Sequence, residues 1–266
     1  MKLRSALKLP KEHGAWAMFY VPFALGLLVA WKITWAVPLL LLAASAMFIA
    51  RESLLVWWRA RNRGKQNDHA LRLLAVYFVT AAVAGAPLIL VYRLYWLAPL
   101  ALIGAALLAI NGWQATEFED RTAQSELMAI GGLTMTAPAA YYAASGEWTP
   151  TALWLWALSA AYFASSVFYV KLRVTGLHAK KQEDKQRARW QCAGYHSFLL
   201  ASLLALALTR SLSLFALIAF APVLARTFRS LFRPEPRLDL KRIGITEIIY
   251  SLIFLIFTTL TFRLAS

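Results

Sequence analysis

The stretch from Leu94 to Glu126 reads LYWLAPLALIGAALLAINGWQATEFEDRTAQSE, and it passes directly from an apolar run to a polar, acidic one. Its apolar part, Leu94 to Ile110, has the length and the Leu and Ala content of a membrane-spanning helix. Asn111, Gln114 and Glu117 follow at intervals of three residues, so a helix that continues past the span carries them on one face. The stretch predicts a membrane helix that ends in a polar site. A solvated turn between two helices is the alternative.

The polar part of this stretch also concentrates negative charge. Glu117, Glu119, Asp120 and Glu126 belong to only 13 acidic residues in the chain, whose formal net charge is +15. Charged groups near a membrane edge need partners or solvent. An acidic segment in such a basic chain therefore indicates an internal site.

Composition assigns the chain to a class before any motif does. Of its 266 residues, 60% are hydrophobic, and the mean hydropathy is +0.56. A soluble globule needs more polar surface than this. We predict a single all-α integral membrane domain over residues 1–266, with about nine transmembrane helices and a basic cytoplasmic lead at residues 1–13. The predicted spans are Gly14–Ala30, Ala36–Val56, Leu71–Tyr92, Leu94–Ile110, Leu127–Ser145, Pro150–Val170, Ala193–Thr209, Leu212–Ala225 and Ile245–Leu264. The eighth is short, so eight spans are an alternative.

The positions of lysine and arginine predict how the chain is oriented in the cell membrane. Cytoplasmic loops of membrane proteins carry an excess of these residues. With a cytoplasmic N-terminus, only Lys32, Arg93, Arg210 and Arg263 fall on the outer side. The C-terminus is then outside, and nearly all polar chemistry lies on the cytoplasmic face. The positive charge of that face indicates contact with membrane lipids that are anionic, and we predict no nucleic-acid partner.

An arginine and a glutamate lie inside the second predicted span. Arg51 and Glu52 are followed by a largely apolar segment that ends in Trp57 and Trp58. Because ionisable groups are costly in lipid, they usually face the protein interior and pair with one another. We expect Arg51 and Glu52 to face inward and to be coupled. A neutralised structural pair is the alternative to a functional one.

Two other helix ends carry polar side chains. His13 follows the basic lead and precedes Gly14, which permits close helix packing. Tyr169, Lys171 and Arg173 lie near one membrane edge at the end of the sixth predicted span. These positions predict ligand-binding groups. The alternatives are an interfacial helix start for His13 and lipid-facing side chains that reach toward the headgroups for the others.

Three segments resemble the YwiC-like family of bacterial membrane proteins. They are Pro10–Trp16, Glu119–Glu126 running into Gly131, Pro138 and Tyr141, and Ser165–Arg173. The resemblance covers most of the chain. More distantly, the chain resembles the intramembrane aromatic prenyltransferases of the UbiA type, through Gly14-Ala15-Trp16 and through Arg121-Thr122 with Gly131. That second resemblance implies a UbiA-like bundle of nine helices with a lipid-accessible cavity facing the cytoplasm.

The chain departs from the UbiA-type enzymes where those enzymes bind metal. They hold Mg²⁺ and prenyl diphosphate with an Asn-Asp-x-x-Asp motif after the second helix and an Asp-rich motif after the sixth. The sequence has neither motif, and Arg51-Glu52 and Tyr169–Arg173 stand at the corresponding ends. We therefore predict no metal and no cofactor, with Mg²⁺ in particular not supported. Arginine and lysine would hold an anion directly.

The predicted site binds an isoprenoid or another amphiphile with an anionic head. The predicted substrate-binding residues are Arg51, Arg121, Lys171, Arg173, Asn111, Gln114, His13 and Tyr169. Glu52 and Glu117 are the predicted catalytic acid or base. The protein would then be a degenerate, metal-independent relative of the prenyltransferases. The alternative is a non-catalytic transporter or an accessory subunit that binds a lipid or a quinone.

Other features of the sequence predict no site. Cys192 is the single cysteine, and the four histidines are scattered. The run Lys180–Arg189 is predicted to be a solvated loop or a short amphipathic segment at the headgroups. Tryptophan and tyrosine concentrate at the ends of the predicted spans, which is typical of an aromatic belt.

The charge pattern yields a test of the predicted orientation. Reporter domains fused after residues 117–124 and after residues 180–189 should both report a cytoplasmic location, because both segments lie on the basic side. A reporter in the turn at residues 146–149 should report the outside. Finding the first two segments on opposite sides would contradict the predicted topology.

Overall fold

The computed structural model describes residues 13–117, 123–233 and 240–264, and within these ranges the chain is helical and contains no β strand. The helices are α1 His13–Ala30, α2 Ala36–Asn62, α3 Asp68–Leu90, α4 Leu97–Glu117, α5 Ala123–Thr134, α6 Thr136–Ser145, α7 Pro150–His178, α8 Gln182–Leu208, α9 Leu214–Phe232 and α10 Leu240–Arg263. The all-α class predicted from composition is confirmed.

Among the described residues, six helices are long and apolar enough to cross a membrane. They are α2, α3, α7, α8, α9 and the Ile243–Arg263 part of α10. Two shorter apolar segments, Gly14–Ala30 and Leu97–Leu107, lie in α1 and α4. A hydrocarbon core about 30 Å thick takes about 20 helical residues. The chain is therefore a multi-pass membrane protein whose apolar outer surfaces contact lipid.

The fifth predicted span is not one continuous helix. α5 ends at Thr134 and α6 begins at Thr136. Pro138 lies in the first turn of α6 and has no backbone N–H to donate to the carbonyl of Thr134, so the helical ladder breaks there. The Thr136 hydroxyl donates 2.8 Å to the carbonyl oxygen of Phe19 in α1. The predicted span Leu127–Ser145 is thus covered by two helices that adjoin at Met135, and the bond from Thr136 ties α6 to α1.

Several helices continue past the predicted spans at their charged ends. Charge ends a hydropathy window, but Arg, Lys, Gln and Glu are good helix formers. The run Lys180–Arg189 is thus not a loop, because α8 begins at Gln182 with Glu183 and Asp184 in its first turn, where the helix dipole favours acidic residues. Four predicted boundaries are corrected in this way. α2 extends to Asn62, α7 extends to His178, α8 starts at Gln182, and the eighth span becomes the 19-residue α9.

The chain divides into two compact units, Met1–Trp156 and Ala157–Ser266, here termed the N-terminal and C-terminal units. In the N-terminal unit, α1 packs against α6, and α2 packs against α3. Phe23, Leu40, Leu88 and Ala140 are buried members of its apolar core. This unit contains Arg51 and Glu52.

The contact between α1 and α6 depends on the absence of a side chain at Gly26. A Cβ atom there would overlap the Ala137 carbonyl oxygen and lie 2.8 Å from the Tyr141 backbone nitrogen. The facing helix presents small buried residues, including Ala137 and Ala140. In membranes such small residues allow helix backbones to approach closely, which increases van der Waals contact.

In the C-terminal unit, α9 packs against both α8 and α10. An aromatic cluster fills part of the interior, where the Tyr162 ring of α7 stacks 4.2 Å from Phe254 of α10. Phe220 of α9 meets Phe254 edge-on at 5.5 Å. The three side chains are fully buried. Polar side chains of the same helices lie beside this cluster.

The close approach at Gly26 predicts how alanine substitutions will behave. Gly26→Ala should lower the stability of the detergent-solubilised protein by about 1–3 kcal/mol, because the backbone of α6 has to move. Gly85→Ala in α3 is the matched control, since a Cβ there meets nothing within 4 Å. Thermal unfolding of the two variants measures the difference, and an unchanged Gly26→Ala midpoint would contradict the packing.

Candidate functional site

One buried face of α7 is polar over three turns. Tyr162, Ser165, Ser166, Tyr169 and Arg173 occupy positions i, i+3, i+4, i+7 and i+11, which share a helix face. All five side chains are buried. Polar groups along a membrane helix are costly unless other helices supply partners. For Ser165, Ser166 and Tyr169, these partners come from α8, α9 and α10.

An ion pair between α9 and α10 lies against this face. Arg226 Nη1 is 2.5 Å from Glu247 Oε1. The Ser166 hydroxyl of α7 donates 2.6 Å to the other carboxylate oxygen, Oε2. Both residues lie inside candidate spans, and their side chains are only 11% and 22% exposed. Three helices therefore meet at one carboxylate.

Two tyrosines flank the guanidinium group of Arg226. Its Cζ atom lies 3.9 Å from the ring centroid of Tyr169 and 5.2 Å from that of Tyr250. Such cation–π contacts are strongest where water is excluded. Nε and Nη2 of Arg226 are buried and have no hydrogen-bond partner among the described residues. These two nitrogens form one edge of the guanidinium, the edge that takes a carboxylate or phosphate through two parallel hydrogen bonds.

A second polar layer is centred on His196 of α8, which is fully buried. Its Nδ1 lies 2.8 Å from the Cys192 carbonyl oxygen, which can only accept, so Nδ1 carries a proton. Its Nε2 lies 2.9 Å from the Ser165 hydroxyl and 3.2 Å from that of Thr227. Thr227 donates its proton to the Val223 carbonyl. In the neutral ring, Nε2 then accepts from Ser165.

The two layers are joined by consecutive residues. Ser165 and Ser166 are neighbours on α7, and Arg226 and Thr227 are neighbours on α9. In each pair one residue contacts His196 and the other contacts Glu247. We call this connected set the polar core. Its members are Ser165, Ser166, Tyr169, His196, Arg226, Thr227, Glu247 and Tyr250.

In the N-terminal unit, the predicted pair Arg51–Glu52 does form. The two residues lie inside α2, with Arg51 Nη1 donating 3.0 Å to Glu52 Oε1. Their side chains are 28% and 26% exposed. The two side chains are therefore in direct contact, while their inward orientation, their coupling in stability and the roles of Arg51 in substrate binding and of Glu52 in catalysis stay predictions.

Three predicted ligand-binding residues lie on α7 in the C-terminal unit. Tyr169 belongs to the polar core, and Arg173 lies one turn further along the same buried face. Lys171 lies between them and is partly buried, but residues two apart do not share a face. α7 therefore brings Tyr169 and Arg173 together and directs Lys171 elsewhere.

The other predicted site residues lie outside the described part of the chain, wholly or in their side chains. α4 includes Asn111, Gln114 and Glu117, and α1 begins at His13, but only their helical backbone is described. Arg121 lies in the segment 118–122, which falls outside the described ranges. The roles of these five residues remain predictions.

Sequence reasoning missed the central residues of the polar core. The predicted eighth span ends at Ala225 and leaves Arg226 in a cytoplasmic loop, whereas the structure places Arg226 within α9. Glu247 and His196 fell inside predicted spans and were passed over. A single carboxylate or imidazole in an apolar run was the signal that could have identified them.

A separate depression of about 430 Å³ lies at the end of α2. It is lined by Trp57, Trp58, Arg61 and Asn62. The guanidinium of Arg61 lies 5.5 Å from the Trp57 ring centroid. Tryptophan and arginine in this arrangement are typical of a helix end at the membrane interface.

Within the ranges that the structure describes, no three His, Cys, Asp or Glu side chains come close enough together to hold a metal ion. The acidic residues Glu119 and Asp120 lie outside those ranges, and the side chain of Glu117 is not described. The prediction of a metal-free site therefore stays a prediction.

The helices and the buried polar core define a multi-pass α-helical membrane protein. Residues 9–141 match the family model described as YwiC-like protein, and the chain belongs to this family. It is 27% identical to "Uncharacterized protein YwiC" of Bacillus subtilis, over 93% of this chain and 95% of the relative. It is 22% identical to an "Uncharacterized protein" of Haemophilus influenzae, over 94% and 96%. No solved structure matches the chain significantly. The YwiC-like resemblance seen in the sequence is confirmed.

The Arg226–Glu247 pair predicts non-additive effects on stability. Arg226→Gln or Glu247→Gln alone should destabilise the protein by about 3–5 kcal/mol, because each leaves a buried charge without its partner. The double variant should cost less than either single change, since no uncompensated charge remains. Arg229→Gln, an exposed arginine of the same helix, is the matched control. Additive unfolding energies in this cycle would show that the two charges act independently.

Proposed function

We propose that the protein binds an amphiphile with an anionic head and an isoprenoid tail, and that Arg226 holds the head without a metal ion. The observation that carries this proposal is the buried edge of Arg226. Glu247 contacts Nη1, while Nε and Nη2 have no hydrogen-bond partner among the described residues. A buried arginine with two parallel donors is suited to a phosphate or a carboxylate.

The position of Arg226 in the membrane supports an amphiphile over a soluble anion. Arg226 lies inside a candidate span and is close to the rings of Tyr169 and Tyr250. An ionisable group at such a position marks a ligand pathway by default, because a purely structural role would be met more cheaply by apolar packing. A lipid-soluble molecule can reach this depth with its tail in the hydrocarbon. Tyr169, predicted from the sequence to bind substrate, is part of this site.

The distant resemblance to UbiA-type enzymes makes an isoprenoid the first tail to test. It also raises the question of whether the bound molecule is transformed. A transferase needs an acid or a base. Glu52 and Glu117, the candidates from the sequence, belong to the N-terminal unit and are not part of the site proposed at Arg226. A transporter or an accessory subunit that binds a lipid or quinone would use the binding step alone. Mass spectrometry of the incubated mixture separates the two, because only a transferase yields a product.

Binding is tested by thermal unfolding of the detergent-solubilised protein with farnesyl diphosphate and EDTA. The diphosphate should raise the midpoint temperature of unfolding. At a concentration of 100 times its Kd, binding adds about 2.7 kcal/mol to the free energy of unfolding. Farnesol, which has the tail without the charge, should have a smaller effect. Arg226→Gln should abolish the difference between the two ligands, and Arg229→Gln should keep it.

One further variant and two possible outcomes complete this test. If Arg226→Gln fails to fold, the double variant Arg226→Gln/Glu247→Gln removes the anion site without leaving an unpaired charge. Stabilisation that appears only with Mg²⁺ would contradict metal-free binding. Equal stabilisation by farnesol and the diphosphate would reduce the Arg226–Glu247 pair to a structural role.

A further inference from the structure

The polar core already contains an anion on the arginine that the proposed ligand would use. Glu247 Oε1 accepts from Nη1 of Arg226, and the adjacent edge of the same guanidinium carries Nε and Nη2. A ligand head on that edge would lie within a few ångströms of the Glu247 carboxylate. Two negative groups would then share one positive group in a site of low dielectric, where like charges repel strongly.

We infer that the anion is bound together with one proton, which is taken up by Glu247. This inference rests on the proposed function. In the free protein the pair is Arg226⁺ with Glu247⁻. In the complex Arg226⁺ pairs with the ligand anion, and a proton from water converts Glu247 to the neutral acid. One negative and one positive charge enter together, so the net charge of the site is unchanged.

The hydrogen bonds around Glu247 suit both protonation states. Ser166 donates to Oε2 of the carboxylate at 2.6 Å. A hydroxyl also has acceptor lone pairs, so the same serine can accept from Oε2–H once Glu247 is protonated. Oε1 accepts from Nη1 of Arg226, and the carbonyl oxygen of a neutral acid can accept the same hydrogen bond. Proton uptake therefore needs only a rotation of the Ser166 hydroxyl and leaves no buried oxygen without a partner.

The other titratable and charged groups near Glu247 come from each surrounding helix. Tyr162 on α7 and Arg226 on α9 interact with Glu247 itself, whereas Tyr169 on α7, Cys192 and His196 on α8 and Tyr250 on α10 interact with its partner Arg226. A guanidinium group that is already protonated, a neutral phenol and a neutral thiol are poor acceptors of a further proton. His196 is the one group of this set that could take the proton instead. Its Nδ1–H already donates to the Cys192 carbonyl. Its Nε2 is bonded to Ser165 and does not take part in the contact between Arg226 and Glu247.

The probe for this inference is farnesyl sulfonate, whose head stays singly charged while carboxyls and histidines titrate. Its Kd is measured on the detergent-solubilised wild type and on Glu247→Gln between about pH 5 and pH 8. Wild-type binding should tighten by up to about tenfold for each unit that the pH falls while Glu247 is ionised in the free protein. Glu247→Gln mimics the protonated acid, so it should bind the sulfonate more tightly at high pH and with no pH dependence.

Two controls assign the proton. His196→Gln should keep the wild-type pH dependence, whereas a loss of that dependence in His196→Gln alone would place the proton on the histidine and overturn the inference. If Glu247→Gln does not fold, proton uptake by the wild type is measured directly in weakly buffered solution with a pH indicator. About one proton per bound sulfonate is expected, and no uptake would overturn the inference.

The outcomes separate this inference from the function on which it rests. Sulfonate binding that is equally tight at every pH would support an anion site at Arg226 but would contradict the uptake of a proton. Pronounced pH dependence that persists in Glu247→Gln would show that Glu247 is not the group that takes up the proton. Failure of the sulfonate to bind at any pH, or binding no tighter than that of farnesol, would overturn the anion site itself.

Discussion

A guanidinium group inside a membrane span is stable only where other groups match its charge. In the C-terminal unit this requirement is met by Glu247, which reaches Arg226 from the next helix, and by Ser166, which holds the second carboxylate oxygen. Because the three residues come from three helices, the charge requirement also fixes how those helices are aligned. A shift of one residue along α10 would turn its side chains by about 100° and separate the charges.

Each unit is stabilised by close packing and by hydrogen bonds between its own helices. Helices in lipid gain little from apolar burial, since lipid tails are as apolar as leucine. The C-terminal unit adds directional hydrogen bonds, and His196 alone contacts Ser165 and Thr227 on two neighbouring helices. The N-terminal unit relies on close backbone approach at Gly26 and on the bond from Thr136 to α1. A change of volume at Gly26 and a change of charge at Arg226 are therefore expected to affect different units.

Hydropathy predicted the positions of most helices and the multi-pass class correctly, because a run of apolar residues has to be buried in lipid. It failed at polar residues that helices carry inward. The window that stopped at Ala225 excluded Arg226, although α9 continues to Phe232. The pair Arg51–Glu52 was found because two charges adjoin in one span. The pair Arg226–Glu247 was not, because its members are far apart in sequence and only the fold brings them together. A sequence alone does not show which distant charges meet.

The packing of α1 on α6 bears on how the chain enters the membrane during synthesis. Thr136 bonds to Phe19 across 117 residues, so the partner of the first helix does not exist when that helix leaves the ribosome. At bacterial rates of about 5–20 residues per second, α1 waits roughly ten seconds for α6. During that interval the face of α1 that carries Gly26 has no α6 to pack against. The N-terminal unit can close only after α6 has been inserted, which makes its assembly a late event in biogenesis.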